Sequence, residues 1–320
     1  MIYYKSCAVA TVLSICAAPV FAQNVLLERD FWNASPDVAA VEAAVEAGAD
    51  PLAVDGEDYY PLWRALQAGT STDVVSYFID KGEDVNQVGN DNLSAFMMAA
   101  RFNSLEVVEM FLEREDLEID YQDDSWRDAL GFACLLQTEI PVYEALMAAD
   151  LPISARDIHG RNCALSAAYL NPNVDTIMWI AEHDDIQAFD NNGTNAFLQA
   201  AFRNPSLEVI TAMKDVVEDP MAVNKDGNNA LTISAIRQKN PAIQSWLLSQ
   251  GFDVNATNGA GQTALHIAAA GNVLAVVEVL LEAGADISLT DAEGQSALDL
   301  AKAREDGADI VTALTAAGAN

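Results

Sequence analysis

The sequence predicts a mostly α-helical solenoid of about nine helix-turn-helix units joined by short β-hairpin turns. One carrying observation is a repeat of 32–36 residues that runs through nearly the whole chain; another is an order of features conserved within each repeat. A third is negative: no run of five or more β-branched residues separates the helices, as a pair of α/β domains would require. A helix pair of this size has one apolar side and cannot bury it alone, so stacking the pairs is what makes a core.

The period is read from pairs in which a small residue or Pro precedes a large apolar one. These are Pro61-Leu62, Ala95-Phe96, Ala129-Leu130, Ala164-Leu165, Ala196-Phe197, Ala230-Leu231, Ala264-Leu265 and Ala297-Leu298, at spacings of 34, 34, 35, 32, 34, 34 and 33. Leu26 precedes Leu62 by 36 and opens the series. The units are therefore anchored at Leu26, Leu62, Phe96, Leu130, Leu165, Phe197, Leu231, Leu265 and Leu298, and residues 23–320 form one array.

Each anchor opens a first helix with small residues one turn on, as at Ala99-Ala100, Ala200-Ala201 and Ala268-Ala269. A polar break and a second helix follow, its apolar positions at helical spacing, as in Val107, Val108, Met110, Phe111, Leu112 and Val276, Val277, Val279, Leu280, Leu281. Gly48, Gly82, Gly251, Gly284 and Gly318 close second helices, where a left-handed residue is wanted. Turn formers such as Asn192-Gly193 and Asp226-Gly227 lead into the next anchor.

Residues 1–22 read as a secretory signal peptide. Lys5 precedes an apolar run from Cys7 to Ala18, and Val20-Phe21-Ala22 precedes Gln23 as the cleavage site. About twelve apolar residues are too few to cross a hydrocarbon core of roughly 30 Å. Leu13-Ser14-Ile15-Cys16 resembles a lipobox, but Ile before the Cys fits it poorly. The expected location is the periplasm, with release to the outside as the alternative.

Charge narrows the function further. The chain carries 48 Asp+Glu against 16 Lys+Arg, a formal charge of −32, and loss of Lys5 with the leader makes it −33. Such a surface repels nucleic acid and anionic membranes. With 51% hydrophobic residues it is a folding composition, not a disordered acidic tail.

No catalytic motif appears. His159, His183 and His266 lie in different units, and there is no P-loop, dinucleotide fingerprint, nucleophile elbow or calcium loop. No cofactor or metal is expected. Cys134 and Cys163, left after cleavage, are expected to remain separate thiols: six residues of offset relative to their anchors is about 9 Å of helix rise, and a bridge needs Cα atoms within about 7 Å.

The segment Gly261-Gln262-Thr263-Ala264-Leu265-His266-Ile267-Ala268-Ala269 resembles the opening TPLH motif of ankyrin repeats, and Leu280-Leu281-Glu282-Ala283-Gly284-Ala285-Asp286 resembles their second-helix ending. The resemblance extends from about Val25 to Asn320, strong in units seven to nine and degenerate before them; in layout the chain is similar to exported bacterial members. It implies a protein-binding scaffold that uses its hairpin tips and the concave face of its first helices, and a structural hydrogen-bonding role for His266. Where later units have Gly193, Gly227, Gly261 and Gly294, the earlier ones carry Asp58, Asn92, Trp126 and Arg161.

The aromatic and charged residues near those tips are the candidate binding set. Tyr59, Tyr60, Trp63, Tyr121, Trp126, Phe102 and Phe202 supply apolar contacts, and Arg101, Arg203, Asp91, Asp123 and Asp124 supply charge. The expected function is an exported, monomeric scaffold that docks, and protects or inhibits, another envelope or secreted protein bearing a basic patch. The alternative is a structural or stress-related envelope component with no single partner.

Overall fold

The computed structural model describes residues 24–56, 58–89 and 92–319. The expected leader over residues 1–22 and the candidate residue Asp91 lie outside the described residues. A short 3-10 helix, Val25–Leu27, precedes α1 (Arg29–Asn33) and α2 (Val38–Glu46). The next units contribute α3 (Pro61–Gln67), α4 (Thr72–Asp80), α5 (Ala95–Phe102), α6 (Leu105–Leu112), α7 (Ala129–Leu136) and α8 (Ile140–Ala148). Then come α9 (Cys163–Leu170), α10 (Val174–His183), α11 (Ala196–Arg203), α12 (Leu207–Val216), α13 (Ala230–Arg237) and α14 (Pro241–Ser249). The last four are α15 (Ala264–Gly271), α16 (Leu274–Glu282), α17 (Ala297–Lys302) and α18 (Ala308–Ala316).

From α3 onward, successive first helices pack on one another, and second helices form the layer behind them. Between the layers lies one continuous core that runs from Leu26 and Trp32 to Ile310 and Leu314. The small residues at Ala99, Ala100, Ala200, Ala201, Ala268 and Ala269 are fully buried, which allows that close stacking.

First helices begin where a short polar side chain caps them. Ser94, Asp128, Asn162, Asn195, Asn229, Thr263 and Ser296 each accept from the backbone N–H three residues on. At their far ends runs a ladder of buried amides. Asn103 donates to Leu66 O (2.7 Å), Gln137 to Asn103 O (2.9 Å), Asn171 to Gln137 O (2.6 Å) and Asn204 to Asn171 O (2.8 Å). Gln238 donates to Asn204 O (2.7 Å), Asn272 to Gln238 O (3.0 Å), and Arg304 ends the series on Asn272 O (2.8 Å). Each rung joins one unit to the preceding one and satisfies a carbonyl that a helix end leaves open.

The expected β-hairpin turns do not form. Among the described residues there is no β-strand, only isolated antiparallel bridges at Val88–Ser94, Thr257–Thr263 and Thr290–Ser296. In six of the turns a side chain at the start stands in the way. Asp123 Oδ1 accepts from the N–H groups of Ser125 and Arg127, and Asp157, Asp190, Asn224, Asn258 and Asp291 repeat the arrangement. That oxygen takes donors a second ladder rung would need, so a turn closes on one backbone bond, as from Asp123 N to Arg127 O (3.0 Å). Neighbouring turns are stitched by single backbone bonds, including Ile158 N to Ser125 O (3.0 Å) and Asn191 N to His159 O (2.8 Å).

Two further expectations are corrected together. Unit five is anchored one residue earlier than Leu165 suggested: α9 starts at Cys163, capped by Asn162, and its left-handed turn residue is Gly160 (φ 78°), not Arg161. The helix starts are then spaced 34, 34, 34, 33, 34, 34 and 33 residues apart from Pro61. Cys134 and Cys163 are not separate thiols but a disulfide, with Cα atoms 5.3 Å apart. The corrected register removes one residue of their apparent offset. The rest of the discrepancy arises because one helix's rise does not measure the slide between two helices packed side by side.

Candidate functional site

The turns and the solvent-facing ends of the first helices enclose a groove across units three to seven. One part, about 520 Å³, is lined by Arg101, Arg127, Arg161, Arg203, Phe132 and Tyr169, with Asp123, Asp124 and His159 at its side. The adjoining part, about 370 Å³, shares His159, Arg161 and Tyr169 and adds Ile158, Phe202, Ile233 and Ile236. Exposed Ile158 and Ile236 and half-buried Phe202 give this second part an apolar floor.

In the first part, guanidinium groups flank aromatic rings. Arg101 and Arg127 lie over the Phe132 ring at 5.4 and 4.6 Å, and Arg161 and Arg203 over the Tyr169 ring at 5.1 and 5.5 Å. Two of the four are neutralised where they stand. Arg127 donates to Asp123 Oδ2 through Nε (3.1 Å) and Nη2 (2.7 Å), and Arg161 does the same to Asp157 Oδ2 (2.9 and 2.7 Å). Arg101 and Arg203 have no carboxylate partner among the described residues. Arg203 Nη1 donates instead to the Tyr169 hydroxyl (3.0 Å), while Arg101 Nε is buried without a hydrogen-bond partner. Burial, and secondly the Arg127 charge, pull the Arg101 guanidinium down to about 10.

The structure sorts the sequence-predicted residues into three groups. Arg101, Phe102, Phe202, Arg203, Asp123 and Asp124 lie on or beside the groove. Within that group Asp123 is buried and committed to its own turn and to Arg127, whereas Asp124 is exposed and accepts from Asn92 Nδ2 (2.8 Å). Trp126 projects from a turn tip, 62% exposed, with its backbone in the left-handed region (φ 62°).

The third group is turned inward. Tyr60 is fully buried and donates its hydroxyl to Gln87 O (2.7 Å), and Trp63 and Tyr59 are buried with their rings 4.3 Å apart. Arg64 lies over the Tyr59 ring at 4.5 Å and is itself ion-paired to Asp55 (2.9 Å), so this cluster fastens the N-terminal units. Tyr121 is half-buried against the core.

Arg127, Tyr169, Ile158, Ile233 and Ile236 line the groove without having been singled out in the sequence, and Arg161, noted there only as a replacement for the turn glycine, joins them. Their signal was periodic: Arg127 and Arg161 both stand four residues after the turn Asp, at Asp123 and Asp157. His266 is buried, its Nδ1 2.8 Å from Thr263 Oγ1 and its Nε2 3.1 Å from Leu289 O, so it ties a cap to the next turn.

Comparison with known families agrees with this architecture. Residues 33–125 match the family model described as ankyrin repeats (3 copies), and residues 247–301 match that of ankyrin repeats (many copies). Over these two segments the chain belongs to the ankyrin-repeat family. The early units, degenerate to the eye, are thus recognised as ankyrin repeats. The unmatched stretch between the two segments carries α7 to α13 with the same caps and period. A search of curated proteins found no match.

Ankyrin repeats generally mediate protein–protein interaction. No group of three or more His, Cys, Asp or Glu that could hold a metal ion forms among the described residues. No described helix is long and apolar enough to cross a membrane.

Proposed function

We propose that this ankyrin array is an exported, monomeric scaffold that docks another envelope or secreted protein along the groove and protects or inhibits it. The observation that carries the reading is the groove itself, where Ile158, Ile236 and Phe202 remain solvent-accessible beside Arg101 and Arg203, which pair with no carboxylate among the described residues. Apolar side chains grouped in a polar-rimmed groove mark an interaction surface, and Arg and aromatic residues are those that carry binding energy once desolvated.

Two features support export. The leader-like sequence of residues 1–22 is one; the Cys134–Cys163 disulfide, which suits an oxidising compartment, is the other. Outside the groove the net charge of −32 favours a partner with a basic patch, steered over a screening length of about 8 Å at physiological salt.

The test is crosslinking in the cells that make the protein, followed by retrieval of the tagged chain from their envelope fraction. One dominant stoichiometric partner is expected, bound to a chain whose N-terminus is Gln23. A smear of abundant proteins, or a chain retaining its leader inside the cell, contradicts the reading.

A further inference from the structure

Four of the sixteen Lys and Arg residues of a strongly acidic chain converge on one cavity. They come from successive units: Arg101 from α5, Arg127 and Arg161 from the turns ahead of α7 and α9, and Arg203 from α11. Random placement on a surface with three acids for every base would surround each with carboxylates. Instead Arg101 and Arg203, at the two ends of the row, have no acidic partner among the described residues, while the two between them are paired to turn aspartates that hold their guanidinium groups in place.

Burying Arg101 Nε without a partner is costly, and its guanidinium lies over the Phe102 and Phe132 rings, 4.9 and 5.4 Å from their centroids. Arg203 is exposed and donates to the Tyr169 hydroxyl. The row is therefore pre-oriented for planar, two-pronged hydrogen bonding to carboxylates beyond those of the described residues.

We propose that this arginine row binds an extended acidic segment of the protein partner, with Asp or Glu at about every third residue. The inference rests on the scaffold reading above and names what the partner presents at this place; a basic patch elsewhere on that partner would face the acidic exterior. The spacing follows from geometry. Packed helices lie roughly 8–10 Å apart, and a chain extended as a polyproline II helix advances about 3.1 Å per residue with three residues per turn, so every third side chain falls on one face and meets the next unit. A protein segment fits better than a compact phosphate group because the charges are strung along several units and interleaved with aromatic faces, and the apolar floor at Phe202 and Ile236 continues the same groove.

The probe is a fluorescein-labelled dodecapeptide with Glu at every third position and Ser, Gly and Tyr between. Its anisotropy is titrated with the leaderless chain at about 0.15 M salt, where the long-range repulsion is screened. Two control peptides carry Lys in place of Glu, or the same Glu residues in one contiguous block.

Saturable binding of the spaced Glu peptide is expected, weakened at least about fivefold by Arg203→Gln and by Arg101→Gln and at least about fivefold weaker for the blocked peptide. Arg203 is exposed, so its variant should keep the parent's melting profile, which separates lost binding from lost folding. No saturable binding, an unchanged affinity in R203Q, a preference for the Lys peptide, or equal binding of the blocked peptide would each overturn the proposal. The outcomes are separable from those of the scaffold reading. A stoichiometric partner that binds R101Q and R203Q as tightly as the parent overturns this inference alone.

Discussion

Cys134, in the middle of α7, is bonded to Cys163, the first residue of α9, across the boundary between units four and five. Both side chains are buried and small, so the bond crosslinks two helices that already pack. It closes a loop with a sequence separation of 29, which in the chain-entropy model stabilises by about 3–4 kcal/mol. A chain beginning at Gln23, denatured without reductant, should show no titratable thiol, and C134A/C163A should lose about 3 kcal/mol in urea melts. Two free thiols in the denatured parent would contradict the bond.

Trp126 occupies a left-handed backbone position (φ 62°) that Gly fills in the equivalent turns at Gly160, Gly193 and Gly227. A side chain there costs roughly 1–2 kcal/mol, and 62% of this one is in solvent. Trp126→Gly should therefore stabilise the array by about 1 kcal/mol while weakening partner binding if the tip touches the partner. Denaturant melts check the first effect; a less stable variant would show that the indole packs more than its exposure suggests.

Asn204 is fully buried and donates to Asn171 O (2.8 Å) and Ala168 O (2.9 Å) of the preceding unit. Asn204→Ala would strand both carbonyls at a unit boundary, at a cost of about 2–3 kcal/mol. Because the array is a chain of neighbour interactions, the loss should appear as uncoupling there: hydrogen exchange should quicken on both sides of Asn204 before the terminal units respond. Uniform loss of protection would contradict the ladder's local role.

Glu83 is buried, one of its carboxyl oxygens has no hydrogen-bond partner, and burial followed by the charges of Asp50 and Asp84 push it up to about 7. The folded chain then holds a proton there that the unfolded chain has released, so stability from this group is full below the ordinary carboxylate range and is lost as pH rises through about 7. Tyr60 is buried beside it and feels the same charge. Glu83→Gln should flatten the fall in melting temperature between pH 5 and pH 8 and be the more stable form at the upper end. An unchanged profile would remove Glu83 as its cause.

The solenoid was legible because its signals are local and repeated. The buried alanines, the cap residues and the closing glycines recur at fixed offsets, and Gly48, Gly82, Gly251, Gly284 and Gly318 all have positive φ. What failed were judgements about two segments meeting. The Ala164-Leu165 pair imitated an anchor although Asn162 and Gly160 set the register. The disulfide depended on the slide between α7 and α9, which no residue count reveals.

The site was legible by halves. Arg101, Phe102, Phe202 and Arg203 sit at the ends of first helices, where period alone brings them to one face. Tyr59, Tyr60 and Trp63 have the same composition signal, yet they fill the core of the early units, where there are fewer alanines to stack. Aromatic character does not say which way a ring points. Arg127 and Arg161 were hidden because their role depends on turn aspartates whose purpose is clear only once Oδ1 is seen accepting two backbone bonds.

The central claim is that this array captures a protein along the groove. A photo-reactive residue placed at Ile236 on the groove floor, and separately at exposed Met178 on the outer helix α10, tests it in the cells that make the protein. Irradiation should give one discrete adduct from the Ile236 position, lost on Arg203→Gln, and none from Met178. Equal labelling from both positions, or an adduct from Met178 alone, would contradict the account.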